Sequence, residues 1–240
     1  PMQPYRPNLI RAEVSEAEET ATLLNQLIER SQEVLKNHPV NIKRIQEGHD
    51  PANSIWPWSP GVRPAMQTLK SLYGIQQSSV ISAVDLIRGI GVYAGMKVIH
   101  VEGATGLYDT NYEGKAAAAL EALKTDDLVY LHVEASDEAG HEGDVRLKIQ
   151  TIEDLDHRIV GPVLQALQTW EKPVAIAVLP DHPTPCSIRT HTNVPVPFLI
   201  YRPGDEPDSV TVFDEFSVEG GKYGLLEKNE FIKLLIKSEK

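Results

Sequence analysis

Leu128-Val-Tyr-Leu-His-Val-Glu-Ala-Ser-Asp-Glu-Ala-Gly-His141 is the stretch on which the reading of this chain turns. Leu128 to Val133 is an apolar run of strand length. Asp137 and His141 follow it, four residues apart. A second such run, Val174 to Leu179, leads into Pro180-Asp-His-Pro-Thr-Pro185, and His191 comes next in Arg189-Thr-His-Thr192. Strands that end in Asp and His place those side chains at the carboxyl edge of a sheet, where open α/β sheets bind their ligands. A mixed carboxylate and imidazole set suits two divalent cations that handle a phosphate.

Outward from these runs, strands and helices alternate. Ser79 to Ala83 reads as a strand, Val84 to Ala94 as a helix ending at Gly95, and Lys97 to Val101 as a strand. Tyr112 to Leu123 is an Ala-rich helix. Val145 to Trp170 reads as one long helix, with Leu147, Ile149, Ile152, Leu155, Ile159, Val163 and Leu164 as its apolar positions. Val196 to Tyr201 is a further strand, and Asn229 to Ile236 a closing helix. The alternation predicts an α/β fold, a mainly parallel sheet with helices on both faces.

Ahead of it, residues 1–14 read as an extended lead-in, and Ser15 as the N-cap of a helix that ends near Asn37-His-Pro39. Residues 40–52 read as polar and irregular, and 59–64 as a loop. Residues 1–50 therefore stand apart from 51–240 as a linker or helical segment.

Taken singly, Asp137-x-x-x-His141 also fits a capped helix start, and Gly140 with Glu142-Gly-Asp144 favours a loop over a regular helix. Asp181-His182 is more telling: adjacent side chains diverge, so the pair can serve two neighbouring ions or grip one. Pro180, Pro183 and Pro185 stiffen that loop. Arg63 and Arg88 are candidate anion contacts, because the guanidinium fork matches phosphate and carboxylate; each also fits an ordinary surface arginine. The Gly-rich loop from Glu102 to Lys115 either cradles an anion or caps the next helix through Thr110 or Asn111. Gly89 and Gly91 do not make a dinucleotide fingerprint, and no organic cofactor is expected. Trp56, Trp58 and Cys186 read as packing residues.

With 34 Asp+Glu against 23 Lys+Arg, the chain is acidic, which argues against nonspecific nucleic-acid binding. A single cysteine excludes an internal disulfide and fits a reducing compartment. No apolar run approaches the roughly 18 residues of a membrane helix. A cytoplasmic protein without a membrane partner is expected.

The motifs together resemble those of the cofactor-independent (2,3-bisphosphoglycerate-independent) phosphoglycerate mutases, in their archaeal-type branch of the alkaline phosphatase superfamily. The carrying segments are Lys36 to Asn41, Ala52 to Trp56 with Gly61-Val-Arg63, Glu102 to Lys115, Leu131 to Asp144, and Asp181 to Pro185 with Thr190-His-Thr192. The resemblance implies that Asp137, His141 and His191 hold one metal and that Asp181 and His182 hold a second. Manganese is the common ion, with zinc, cobalt or magnesium in some members. It makes Arg63 a substrate contact and Arg88, more loosely, a basic residue near the nucleophile. The implied reaction interconverts 3- and 2-phosphoglycerate through a phosphoserine.

That family carries a strand with a metal-binding Asp, a helix with the nucleophilic Ser and an inserted lobe ahead of the matching region. No Ser of this chain sits in the nucleophile's context, so no catalytic residue is assigned. The expectation is a carboxyl-terminal part of a longer enzyme, lacking the first strand and nucleophile helix, inactive alone, with residues 1–50 leading from the inserted lobe. The preceding segment would then be present as a separate chain, or the fragment would associate through the gap left in the sheet. Two other readings stay open: a related phosphotransferase (homoserine-kinase-like) or metal-dependent phosphatase, and a non-catalytic metal-binding domain.

Overall fold

The computed structural model describes residues 4–58 and 61–237. The chain forms two units, Pro1–Arg63 and Pro64–Lys240. Of the expected lead-in, residues 1–3 lie outside the described residues, as do Ser59 and Pro60 of the expected loop.

The first unit is built on two helices, α1 (Glu18–Lys36) and α2 (Pro39–Gln46). Ser15 does not cap α1: residues Ser15–Ala17 form a 3-10 turn, and the Ser15 hydroxyl bonds the Glu16 carboxylate at 3.1 Å. The segment expected to be irregular is helical over α2. Pro39 both stops α1 and starts α2, because proline at the first helical position forfeits only an N–H that would have been unpaired. Two asparagines tie extended backbone onto these helices. Asn25 exchanges bonds of 3.0 and 2.9 Å with the N–H and carbonyl of Ile10. Buried Asn41 donates to the carbonyls of Leu35 and Ala52 and accepts from the Ala52 N–H. Trp58 is 85% exposed and Trp56 45%, so the expectation that they pack inside is overturned.

The second unit opens with the short helix α3 (Leu69–Tyr73) and then shows the expected alternation: β1 (Ser78–Ile81), α4 (Asp85–Tyr93), β2 (Lys97–Ile99), α5 (Tyr112–Ala122) and β3 (Leu128–Leu131). The three strands are parallel, in the order β2-β1-β3. All four residues of β1 are buried, as a central strand requires. Register is pinned at the amino end, where Asp127 accepts from the N–H groups of Gln76 and Gln77 at 2.9 and 3.0 Å. The chain moves from β1 to β2 in one direction and then back past β1 to β3. This reversal leaves a switch point at the carboxyl ends of β1 and β3.

After β3 come α6 (Ala135–Glu142), α7 (Val145–Leu155), a π-helical segment (Asp156–Val160) and α8 (Gly161–Leu167). The one long helix expected from Val145 to Trp170 is thus interrupted. Pro162 has no N–H to give, and its ring crowds the carbonyl of Arg158; the wider π turn accommodates both. Ile149 and Ile152, two of the expected helix's apolar positions, are each 53% exposed. A core cluster forms where Tyr112, Ala116, Ala135 and Ile159 meet Leu131, Val133 and Val163, with Ile159 and Val163 among the positions read as apolar in the sequence. β4 (Ile176–Val178) pairs antiparallel with β5 (Leu199–Tyr201), so part of the strand content departs from the parallel pattern. Helix α9 (Glu230–Leu235) follows.

The loop between β2 and α5 settles as a cap. Asn111 accepts from the Gly114 N–H at 2.8 Å and donates to the Glu102 carbonyl, while the Thr105 N–H bonds Thr110 Oγ1. Its side chains thus satisfy part of its own backbone, as a helix cap requires.

Candidate metal centre

Asp137 and His141 stand on α6, which is a helix and not the expected loop. Gly143, at φ 74°, ends it in the left-handed conformation typical of a helix C-terminus, and Glu142-Gly-Asp144 marks that stop rather than a loop throughout. Four-residue spacing puts both side chains on one face. The Pro180–Thr192 segment brings His191 to that face. His141 Nε2 lies 3.2 Å from Asp137 Oδ2, His191 Nε2 lies 3.4 Å from Asp137 Oδ1, and the two Nε2 atoms are 3.0 Å apart. Ligand atoms of all three residues fall within 4.8 Å of one another.

These donors fit a divalent cation. His141 Nδ1 lies 3.1 Å from the Arg189 carbonyl oxygen. A carbonyl only accepts, so Nδ1 carries the hydrogen and Nε2 presents its lone pair to the cluster, the usual outer support of a metal-bound imidazole. Arg189 holds a left-handed φ of 59°, uncommon for a residue other than glycine. A cation about 2.1 Å from each donor would hold neighbouring donors about 3 Å apart, as they are here.

Asp181 and His182 abut this trio. The His182 ring lies 3.8 Å from that of His191, its Nδ1 3.9 Å from Asp137 Oδ1, and its Nε2 3.5 Å from Asp181 Oδ2. All five expected ligands therefore converge in one place. Thr184, between them, is buried: its hydroxyl bonds Asp137 Oδ1 and lies 3.3 Å from His182 Nδ1. Lys148 Nζ donates to the Thr184 carbonyl at 2.6 Å. That same carbonyl crowds Gly140, where a Cβ would collide with it.

Three further groups belong to the neighbourhood and escape a reading by spacing. His132, at the end of β3, places Nε2 3.3 Å from Glu134 Oε2 and 3.9 Å from Asp181 Oδ2, with Nδ1 3.2 Å from Ser82 Oγ. Glu134 joins Asp137 and Glu138 in a second close group of acids. Lys115 on α5 is fully buried and donates to the His132 carbonyl at 3.4 Å. The signal for His132 and Glu134 was present in the sequence, since both lie just past an apolar strand at the sheet edge already identified. Lys115 gave none, lying within an Ala-rich helix.

The electrostatics are those of concentrated negative charge. Burial, then Asp137, Asp181 and Glu138, push the Glu134 carboxyl above its usual range. Burial lowers the His132 imidazole, with Asp181 opposing. Burial brings the Lys115 ammonium down to about 8, opposed by Glu134 and assisted by Arg88. Such shifts gather at functional sites, and a bound divalent cation is the most direct relief for crowded carboxylates. Arg88, on α4, commits Nε to the Ser82 carbonyl at 2.6 Å and one Nη to Asp85 at 3.1 Å. Arg63 closes the first unit and is exposed.

Residues 11–237 match the model of the metalloenzyme superfamily. Over 215 residues the chain is 55% identical to a 2,3-bisphosphoglycerate-independent phosphoglycerate mutase of Methanosarcina mazei, covering 89% of this chain and 54% of that protein. The namesake from Methanosarcina acetivorans is 56% identical over 88% of this chain and 53% of its own length. The chain thus spans about half the length of the curated relatives it matches. Among solved structures, a protein from Pyrococcus horikoshii superposes with a TM-score of 0.78 at 33% identity, over 94% of this chain and 60% of that one. The cofactor-independent phosphoglycerate mutase of Thermoplasma acidophilum gives 0.51 at 25% identity, over 90% and 51%. The α/β architecture is the one expected from the sequence motifs. With a family model matched from residue 11 to residue 237, the chain belongs to the metalloenzyme superfamily.

Proposed function

We propose that this chain is the metal-binding part of a cofactor-independent phosphoglycerate mutase, which interconverts 3- and 2-phosphoglycerate in the cytoplasm through a phosphoserine. The observation that carries the reading is the convergence of Asp137, His141 and His191 with Asp181 and His182, in a chain half-identical to proteins of that name. Asp137, His141 and His191 would hold one divalent cation, and Asp181 and His182 would contribute to a second, manganese in each case. Two such ions supply charge stabilisation at a transferring phosphoryl group and lower the pKa of a bound hydroxyl.

The chain's own residues hold and orient. The Arg189 carbonyl fixes the His141 tautomer, and Thr184 braces Asp137. Arg63 would take the carboxylate or phosphate of the glycerate, and Arg88 would add positive charge beside β1. The nucleophilic serine would be supplied by the region that these relatives carry outside the matched half.

A polypeptide joining this chain to the remaining half of the Methanosarcina mazei protein tests the proposal. Manganese-dependent conversion of 3-phosphoglycerate to 2-phosphoglycerate, followed by phosphorus NMR, is expected. ATP-dependent phosphorylation of homoserine instead would replace the mutase reading with a phosphotransferase.

A further inference from the structure

Thr184 sits between the two ligand groups and touches a member of each. Its hydroxyl has one proton to give. The Asp137 carboxylate can only accept, so the proton goes to Asp137 Oδ1. Having donated it, Thr184 Oγ1 can only accept from His182 Nδ1, 3.3 Å away. His182 therefore carries its hydrogen on Nδ1 and keeps a lone pair on Nε2. That lone pair faces Asp181 Oδ2 at 3.5 Å, an arrangement of two acceptors that calls for a cation between them. The hydroxyl itself is held from behind. Thr184 is 2% exposed, Lys148 anchors its carbonyl at 2.6 Å, and the bare α-carbon of Gly140 lets α6 approach that carbonyl.

We propose that Thr184 is the positioning residue that couples the two divalent-cation sites: one hydroxyl orients the Asp137 carboxylate of the first and selects the His182 tautomer of the second. Removing that one hydroxyl therefore loosens a ligand of each site at once. The inference rests on the two-metal reading above and adds to it a residue that touches neither ion.

The test is manganese titration by calorimetry of the chain and two variants, with nitrogen chemical shifts of the metal-free His182 ring as a second measurement. Thr184→Val keeps the shape and removes the hydroxyl; Thr184→Ser keeps the hydroxyl. Loss of an outer support of this kind costs about 10- to 100-fold in metal affinity. That loss is expected for Thr184→Val at both sites, together with a shift of His182 to mixed tautomers, and Thr184→Ser should restore both. A wild-type chain that binds manganese while Thr184→Val binds it equally well overturns this coupling and leaves the two-metal reading standing. Absence of any manganese affinity in the wild type removes both. Because Thr184→Val could fail to fold, the wild-type shifts provide an independent check: a hydrogen on His182 Nε2 instead of Nδ1 contradicts the proposal outright.

Discussion

At the scale of single residues, Lys115 carries a cost to folding. A fully buried ammonium with one long hydrogen bond opposes folding wherever it must stay charged. Its pKa is about 8 folded against an ordinary 10.5, so between those values the unfolded chain binds more protons than the folded one. Stability therefore rises as pH climbs through that window, and below it the full cost is present. Lys115→Met should be more stable than the wild type at pH 7, by on the order of 1–3 kcal/mol, and the gap should narrow as pH approaches 10. Urea unfolding of both proteins at several pH values measures it; a gap independent of pH would mean that Lys115 is not the group titrating. Asp137 is a cost of the opposite kind, a ligand whose loss should be felt in binding more than in folding. Asp137→Asn should reduce manganese affinity by more than about 100-fold, beyond the loss of an outer support, with metal-free stability changed by less than about 1 kcal/mol.

At the scale of elements, two glycines mark where helices must approach closely. A Cβ at Gly140 would strike the Thr184 carbonyl, separating α6 from the loop that carries His182 and His191. A Cβ at Gly91 would strike Val80 Cγ1, separating α4 from β1, on an element that carries none of the five ligands. Each substitution to Ala should destabilise by about 1–3 kcal/mol through overpacking. Only Gly140→Ala should also weaken manganese binding. Equal losses of affinity from both would show that the centre responds to general stability rather than to the seating of α6. Elements were legible in the sequence where the pattern was regular, as in the apolar runs of β1 and β3 and the Ala-rich α5. They were misread where one residue serves two purposes. Pro39 ends α1 yet begins α2, and Gly140 looks like a helix breaker but is a contact. Ile149 and Ile152 hold helical spacing on a face that the second unit leaves exposed.

At the scale of the whole molecule, the five proposed ligands come from α6 and from one later segment, so their convergence depends on folding. They were legible only in combination, because Asp137 with His141 also fits a capped helix start and His191 carries little signal by itself. The supports were less so: His132 at least lies just past an apolar strand, but Thr184 becomes visible only when folding brings Asp137 to it, and Lys115 only when burial is known. A centre assembled by folding must in turn stabilise the fold when filled. At manganese a hundred-fold above its dissociation constant, the gain is about 2.7 kcal/mol per site. Manganese should therefore raise the midpoint of urea unfolding for the wild type and do so far less for Asp137→Asn. Within the described residues no helix is long and apolar enough to cross a membrane.

The most direct measurement is a crystal of the chain grown in manganese, with anomalous diffraction recorded at the manganese edge. A peak is expected within about 2.0–2.3 Å of an Asp137 carboxylate oxygen and of Nε2 of His141 and His191, with a second peak, weaker if the ligand set is incomplete, beside Asp181 and His182. Bare density between those three side chains at saturating manganese, with the ion bound elsewhere or nowhere, would contradict the metal centre and the function built on it.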